Sequence, residues 1–429
     1  MNNDFALSDR GLRTEDQPIG FLIATALANP KIISLAAGLV DYQTLPSIET
    51  RELANQLLTD DAIGHSRLNY GTTGGLGVLR QQLLQHLANL DGQSLSQFNA
   101  HADQIVVTNG SQQLLALLTE VLVNPGDIVL TAWPSYFVYT GVLKTAGADV
   151  RGMDTDEDGV IPEQLEKQLH AIDQAGQLDR VKIVYIVSYH DNPAGLTLAE
   201  NRREPILNIV KKYSRKNRIL ILEDAAYREL SFDGNSPKSI RSFEASSPLH
   251  HVALLQTFSK PFSPGLKVGY GLLPKELVHK ILLLKDNLDF GTANLNQHIL
   301  YQAMISGMYE KHLHVLRARY HEKAKRMLLA LQKNLGDFMP GQTHWTHPKG
   351  GLYVWLTLPE SMNTDRDEQL FKQSVAEGVL YVPGSYCFAP DPVRKIPRNH
   401  MRLSYGTATP DEIETGIERL TRAIRNVYV

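Results

Sequence analysis

Cysteine is nearly absent from this sequence: Cys387 is the only one in 429 residues, so no disulfide can form within the chain. That excludes the disulfide-stapled secreted classes and fits a reducing cytoplasm. Long apolar runs are missing as well. The richest stretches, 114–118 with 121–123 and 181–187, fall well short of the roughly 18–20 residues a membrane span needs. The opening MNNDFALSDRGLRTEDQP is polar and lacks the apolar core of a secretory signal. Charge of one sign is not in excess: 43 Lys and Arg stand against 46 Asp and Glu, a formal net charge of -3. No clustered basic face points to nucleic acid. Internal repeats, low-complexity tracts and Pro-, Gly- or Ser-rich linkers are also lacking, which removes tandem-repeat scaffolds and tethered DNA-binding modules. What is present is ordinary for a globular protein with a sizeable core, 43% hydrophobic and 21% charged, at a length that suits one large domain and a smaller one.

The middle of the chain alternates short apolar runs with segments of helical period. The runs 104–109, 127–133, 181–189, 218–224, 251–259 and 267–273 are rich in Val, Ile and Leu without strict alternation, as expected of strands buried on both faces. Helix-like stretches such as 111–122 and 198–216 lie between them. This order predicts an α/β domain whose mostly parallel sheet is flanked by helices. From about Leu295 the texture changes. Residues 296–336 read as mainly helical and suit a connection between domains; strands follow at 351–358 and 400–405, with a turn at Pro383-Gly384. The last helix is well marked: Thr409 caps it, Pro410 suits its first turn, and Glu412 completes a capping box. Ile413, Ile417, Leu420 and Ile424 form its buried stripe. The expected division is an arm over 1–50 that packs with the small domain, a large domain over 51–295, and a connecting helix with a smaller α+β domain over 296–429.

In an open α/β sheet, ligands bind outside the carboxyl ends of the strands. The polar residues ending the predicted strands are Asn109-Gly110-Ser111, His190-Asp191-Asn192, Asp224 and Ser259-Lys260. Each also has an ordinary structural explanation. Thr108-Asn109-Gly110-Ser111-Gln112 runs from strand to helix, and the free N–H groups of a helix start suit a phosphate; alone it would be a plain turn with Ser111 as N-cap. It is neither a P-loop nor a GxGxxG fingerprint. Glu223 and Asp224 are adjacent in a strand, so they face opposite sides and at most one serves a given site. A buried carboxylate there calls for a cation, such as a protonated ring nitrogen; solvated or helix-capping carboxylates are an even alternative. Lys260, in Thr257-Phe258-Ser259-Lys260-Pro261, closes an apolar strand beside small hydroxyls. Covalent cofactor chemistry needs an amine held near neutrality, although most isolated loop lysines have no such task.

Taken together, the segments resemble the fold-type I pyridoxal-phosphate enzymes, specifically the class I/II aminotransferases and their aminoadipate-type branch. The resemblance runs from about Ile33 to Leu420. It is carried by Ser34-Leu35-Ala36-Ala37-Gly38, Leu68-Asn69-Tyr70-Gly71, Gly110-Ser111-Gln112-Gln113, Asn192-Pro193-Ala194-Gly195 and Glu223-Asp224 through Tyr227. Further on come Thr257-Phe258-Ser259-Lys260, Pro264-Gly265-Leu266-Lys267, Gly350-Gly351, Val382-Pro383-Gly384 and Met401-Arg402-Leu403. It implies the cofactor pyridoxal 5′-phosphate, held by Lys260 as a Schiff base, with Asp224 on the ring nitrogen so that the ring acts as an electron sink. Tyr227 and Asn192 would bond its phenolic oxygen, and Tyr136 would stack on the ring. The phosphate would lie on the N–H groups of Ser111 and Gln112, helped by Thr257, Ser259 and Lys267. Lys267 replaces the family's arginine, keeping the charge without the fork. Tyr70 would reach the phosphate site of a neighbouring copy, implying a homodimer with shared sites; locally it reads equally as a packed aromatic. Arg402 would grip the substrate's α-carboxylate, with Gly38 and Asn192 lining that pocket. No metal ligand set is assigned.

The resemblance implies transamination between an amino acid and a 2-oxo acid by a ping-pong cycle, in a cytoplasmic enzyme without nucleic-acid or membrane partners. Another pyridoxal-phosphate reaction on the same fold (lyase, decarboxylase or oxidase-like) would use the same lysine and aspartate. A non-catalytic sensor would need an added DNA-binding module, for which the residues before the resemblance are too few. A nicotinamide dehydrogenase lacks its glycine fingerprint. Two positions depart from the family pattern: Ala226 stands where proline is common, and Gly20, in Pro18-Ile19-Gly20, stands near an arginine that relatives acting on acidic substrates carry. The second departure predicts a substrate side chain that is not a simple dicarboxylate.

Overall fold

The computed structural model describes residues 5–244, 247 and 249–428. The large sheet has seven strands, in the order Ile105–Asn109, Val268–Leu272, Val252–Thr257, Leu220–Asp224, Val181–Val187, Ile128–Ala132 and Asp149–Met153. All run parallel except Val268–Leu272, which is antiparallel to both neighbours. The expected α/β architecture is therefore present, with its six predicted strands each a residue or more shorter at the ends. Their interiors are buried on both faces, which is why they read as unbroken apolar runs. Helices Ser111–Leu122, Pro162–Gln174 and Glu200–Tyr213 lie among those that cover the sheet.

Two features differ from expectation. Asp149–Met153 is a seventh strand hidden by its composition: it lies at the sheet edge, where Asp149 and Arg151 stay half-buried and pair at 2.8 Å. The single helix expected over 296–336 is two, Asn294–Ile305 and Met308–Leu335, parted at Gly307 with φ 73°. Beyond them, His344–Trp345, Tyr353–Thr357, His400–Ser404 and Val382–Pro383 form a four-stranded antiparallel sheet. The last helix, Pro410–Tyr428, packs on Met308–Leu335. Its capping box is formed, with Thr409 N donating to Glu412 Oε2 at 2.7 Å and Glu412 N to Thr409 Oγ1 at 3.3 Å. Its stripe of Ile413, Ile417, Leu420 and Ile424 is fully buried.

Residues 5–50 make contacts at several places, Asp41 among them pairing with Lys323 of the long helix at 2.9 Å. Arg13 Nε donates to the Thr145 carbonyl at 3.2 Å, on a helix of the large sheet, whereas Ile33–Ser34 pairs in parallel with Val379–Leu380 of the C-terminal part. That second pairing brings 35–45 across the carboxyl edge of the large sheet. Leu35 N donates to the Leu380 carbonyl at 2.8 Å, and the Leu35 carbonyl accepts from Ser404 N at 2.7 Å.

Candidate active site

Because six of the seven strands share one direction, their carboxyl ends form one rim, and the amino end of Val268–Leu272 joins it. A cavity of about 310 Å³ opens there. Its lining includes Ser111, Gln112, Tyr136, Asn192, Asp224, Tyr227, Thr257, Ser259, Lys260 and Lys267. Ten residues singled out in the sequence thus meet in one place, coming from separate strand ends.

At one end of the cavity stands the start of the helix Ser111–Leu122. Its N-cap is Gly110, at φ 74°, and not Ser111, so no side chain satisfies the first amides. N–H groups of a first helical turn have no intrahelical partner, and these face the cavity with the helix dipole behind them. The strand next door allows this approach through Gly269, where a Cβ would lie 2.4 Å from Ser111 N. Thr257 Oγ1 donates to Ser259 Oγ at 3.0 Å and accepts from Ser259 N at 3.2 Å, fixing a pair of hydroxyls on the same wall. Lys267, at φ 56°, also lines the cavity. Behind the turn, Asp289 accepts from Asn109 Nδ2 at 2.8 Å and Gln113 Nε2 at 2.6 Å while pairing with Lys285 at 2.7 Å. Gln112 Oε1 is buried with no hydrogen-bond partner among the described residues.

In the middle, the two adjacent carboxylates separate as the strand geometry requires. Glu223 turns away to Arg203 at 3.3 Å and the amides of Ile240 and Arg241. Asp224 turns into the cavity, where Tyr185 Oη donates to Oδ2 at 3.0 Å and Ala226 N to Oδ1 at 3.1 Å. Burial drives its pKa up to about 6, against the pull of those two donors. Among the described residues no ion pair reaches it. A buried carboxylate with only neutral donors fits a cation brought by a ligand. Lys260 Nζ donates to the Gly38 carbonyl at 2.7 Å and lies 5.9 Å from the centre of the Tyr227 ring. Desolvation lowers its ammonium pKa, with Arg402 and Lys267 adding to that pull and Tyr353 opposing it.

Arg402 and Gly38 do not line this cavity but bond to residues that do, Gly38 to Lys260 and Arg402 to Asn192: Arg402, 2% exposed, donates from one terminal nitrogen to Asn192 Oδ1 at 2.8 Å and from the other to the Ala36 carbonyl at 2.7 Å. Its Nε is buried without a partner, and among the described residues no carboxylate pairs with it. Tyr70 does not join the set: it is 83% exposed, with its ring 6.3 Å from that of Phe290 and outside the cavity. Four residues that hold the site were not singled out in the sequence: Tyr185, Tyr353, Gly269 and Asp289. For Tyr185 the available signal was one polar tip inside an apolar strand; the others depend on tertiary contacts with no local mark.

These donors fit pyridoxal 5′-phosphate: amides, hydroxyls and a lysine for a phosphate, an unpaired carboxylate for a protonated ring nitrogen, and an amine between them. The comparisons agree. The family described as aminotransferase class I and II matches residues 30–420. An aromatic-amino-acid aminotransferase of Thermococcus litoralis is 32% identical over 394 residues, 92% of this chain and 88% of that one. The kynurenine aminotransferase of Pyrococcus horikoshii, solved in complex with PMP, has a TM-score of 0.87 at 31% identity, covering 99% of this chain and 98% of its own. The alpha-aminoadipate aminotransferase of Thermus thermophilus, solved with N-(5′-phosphopyridoxyl)-L-leucine, has a TM-score of 0.81 at 28% identity, covering 98% and 97%.

Proposed function

This chain belongs to the class I and II aminotransferase family, and on that premise we propose which of its residues carry the reaction and what they act on. It is a pyridoxal-5′-phosphate-dependent transaminase that passes an amino group from an amino acid to a 2-oxo acid in a ping-pong cycle. When bound, the cofactor supplies the electron sink that makes the α-proton of an amino acid removable.

In the proposed assignment, the Ser111 and Gln112 amides, the Thr257 and Ser259 hydroxyls and Lys267 hold the phosphate. Tyr136 covers the ring and Asp224 keeps its nitrogen protonated. The Asp224 carboxyl, raised by burial, regains its charge when that cation is beside it. Asn192 and Tyr227 bond the phenolic oxygen. Lys260 Nζ would anchor the cofactor covalently and, once the substrate's amine has displaced it, would as a free amine move the proton of the substrate's α-carbon; its lowered pKa suits an amine that must act as a base near neutrality. Arg402, oriented by Asn192 and the Ala36 carbonyl, receives the substrate carboxylate, with Gly38 alongside. The observation that carries this reading is Asp224: a buried carboxylate without a cation, in the same cavity as Lys260 and an uncapped helix start.

For the substrate, we carry over a long or aromatic side chain in place of a short dicarboxylate. The related enzymes are named for aromatic amino acids, kynurenine and aminoadipate, and Gly20 offers no cation, with open space around it. A panel of amino donors tests this by pyridoxamine phosphate formed in the half-reaction. Comparable turnover of glutamate and 2-aminoadipate, with none of apolar or aromatic donors, rejects it.

A homodimer with shared sites belongs to the same reading. Tyr70, Phe290 and Leu68 lie together with exposures of 83%, 67% and 63%, an apolar patch of the kind that a second copy covers. Light scattering, together with recovery of activity on mixing the inactive K260A and Y70A proteins, tests it; a fully active monomer rejects it. The division into an arm over 1–50 (of which 1–4 lie outside the described residues), a large domain over 51–295 and a C-terminal part over 296–429 is supported by the large sheet falling within 105–272. A cytoplasmic location is supported by the lone, buried Cys387.

A further inference from the structure

Tyr353 begins one of the two inner strands of the small sheet and is 1% exposed. Its hydroxyl lies 3.0 Å from that of Tyr227, and the two rings meet edge to face at 80° with centroids 5.7 Å apart. Its ring face lies 4.6 Å from the Arg402 guanidinium. Its hydroxyl also occupies the space beside Gly38, where a Cβ would come within 2.5 Å of it; the Gly38 carbonyl is the acceptor for Lys260. One phenol therefore touches the supports of three proposed site residues that come from different parts of the chain.

Each phenol has one proton, and among the described residues each hydroxyl has the other as its only hydrogen-bond partner. One proton bridges the pair and the other is free. Which of the two is free decides what Tyr227 can do. If Tyr227 donates to Tyr353, it has nothing left for an acceptor in the cavity. If Tyr353 donates, the Tyr227 hydrogen is released toward the cavity and its oxygen is polarised by the incoming bond.

We propose that Tyr353 is a positioning residue that donates to Tyr227 Oη, turning the Tyr227 proton onto the cofactor's phenolic oxygen while its ring braces Arg402. The inference rests on the assignment of Tyr227 given above. The charged or titratable groups around the pair are Arg402, Lys260, Tyr136, Tyr320 and Tyr405, with Asp224 and Lys267 in the same cavity. Burial first, then the neighbouring Tyr353, hold Tyr227 well above the ordinary phenol range, so it remains a donor at working pH.

The test compares cofactor-loaded wild type, Y227F, Y353F and Y353L by the pH midpoint of the visible absorbance band. A weaker bond to the phenolic oxygen leaves that oxygen more basic, so the midpoint moves up. Y353F keeps the ring and removes only the donor: the midpoint rises by about half a unit to one unit, less than in Y227F, with the KM for the amino donor within about twofold of wild type. Y353L also removes the ring below Arg402, and KM rises about three- to tenfold. If Y227F moves the midpoint and Y353F does not, the inference about Tyr353 is overturned while the assignment of Tyr227 stands. If Y227F leaves the midpoint unmoved, that assignment fails and the inference goes with it.

Discussion

The cavity proposed for the cofactor and the substrate pocket proposed beside it form two walls built from different kinds of contact. The wall proposed for the cofactor comes from strand ends and turns of one sheet, within 105–272, and most of its groups are fixed from within that span: Thr257 to Ser259, Asp224 to Ala226 and Tyr185, Gly110 to Ser111. The wall proposed for the substrate joins the small sheet, through Arg402 in His400–Ser404, to residues of the large one and of the first fifty. Arg402 bonds Asn192 and Ala36 across 210 and 366 positions, and Lys260 bonds Gly38 across 222. The first wall is a property of a local fold; the second exists only once distant segments have met. On that difference, substitutions at the first wall should cost cofactor and chemistry together, and those at the second should cost substrate alone.

The largest effect is expected at the join. K260A should lower kcat by roughly 10³-fold or more, since it removes the proposed covalent tether and proton carrier together. Steady-state rates and loss of the visible band check this, and retention of both would remove Lys260 from the centre. Next, R402A should reduce kcat/KM for the amino donor by roughly 10²–10³-fold, the scale of a buried charge left without its partner. The Kd for the cofactor should stay within about twofold of wild type. An equal loss of cofactor affinity, measured by fluorescence titration, would merge the two walls into one.

Asp191 tests the joint between them. Its half-buried carboxylate accepts from Leu196 N at 2.8 Å, bracing the turn that presents Asn192, and desolvation raises its pKa from 3.8 to about 7. The folded protein therefore keeps this proton to higher pH than the unfolded chain. Stability falls as pH rises through the window from about 4 to 7 and is lowest above it. D191N preserves an oxygen acceptor and removes the titration. Its melting temperature should exceed that of wild type at about pH 8 and converge with it near pH 4, within a ceiling of a few kcal/mol. A pH-independent difference would show that Asp191 is ionised throughout. The smallest effect is expected from K267R: restoring a forked cation at the phosphate end should slow cofactor loss about two- to fivefold and leave KM for the donor alone.

The same difference explains what could be read from the sequence. Strands buried on both faces announce themselves as apolar runs, and a polar residue closing such a run falls on the ligand-binding rim by the geometry of parallel sheets. Asp224, Lys260 and Ser111 were visible for that reason. The capping box at Thr409 and the stripe from Ile413 to Ile424 depend on spacing alone, and spacing is in the sequence. Asp149–Met153 was hidden because an edge strand leaves alternate residues half-wet. The break at Gly307 depended on a single glycine within a long helical pattern. Tyr353 looks like any core aromatic until the positions of Tyr227, Gly38 and Arg402 are known. Gly269 acquires meaning only from the helix start pressed against it. The roles of the site residues came from resemblance, because an isolated loop lysine or strand arginine has no local mark of its task.

The bond from Arg402 to the Ala36 carbonyl also sets an order of events during synthesis. At roughly 5–20 residues per second, the ribosome needs roughly 20–70 s to travel from one partner to the other. For that interval Ala36 waits without its partner, while the strands from Ile105 to Leu272 can already pair and Lys260 can already reach Gly38. A growing chain could thus take up the cofactor before it can hold an amino acid, and the last strand to emerge would be the one that makes the enzyme selective.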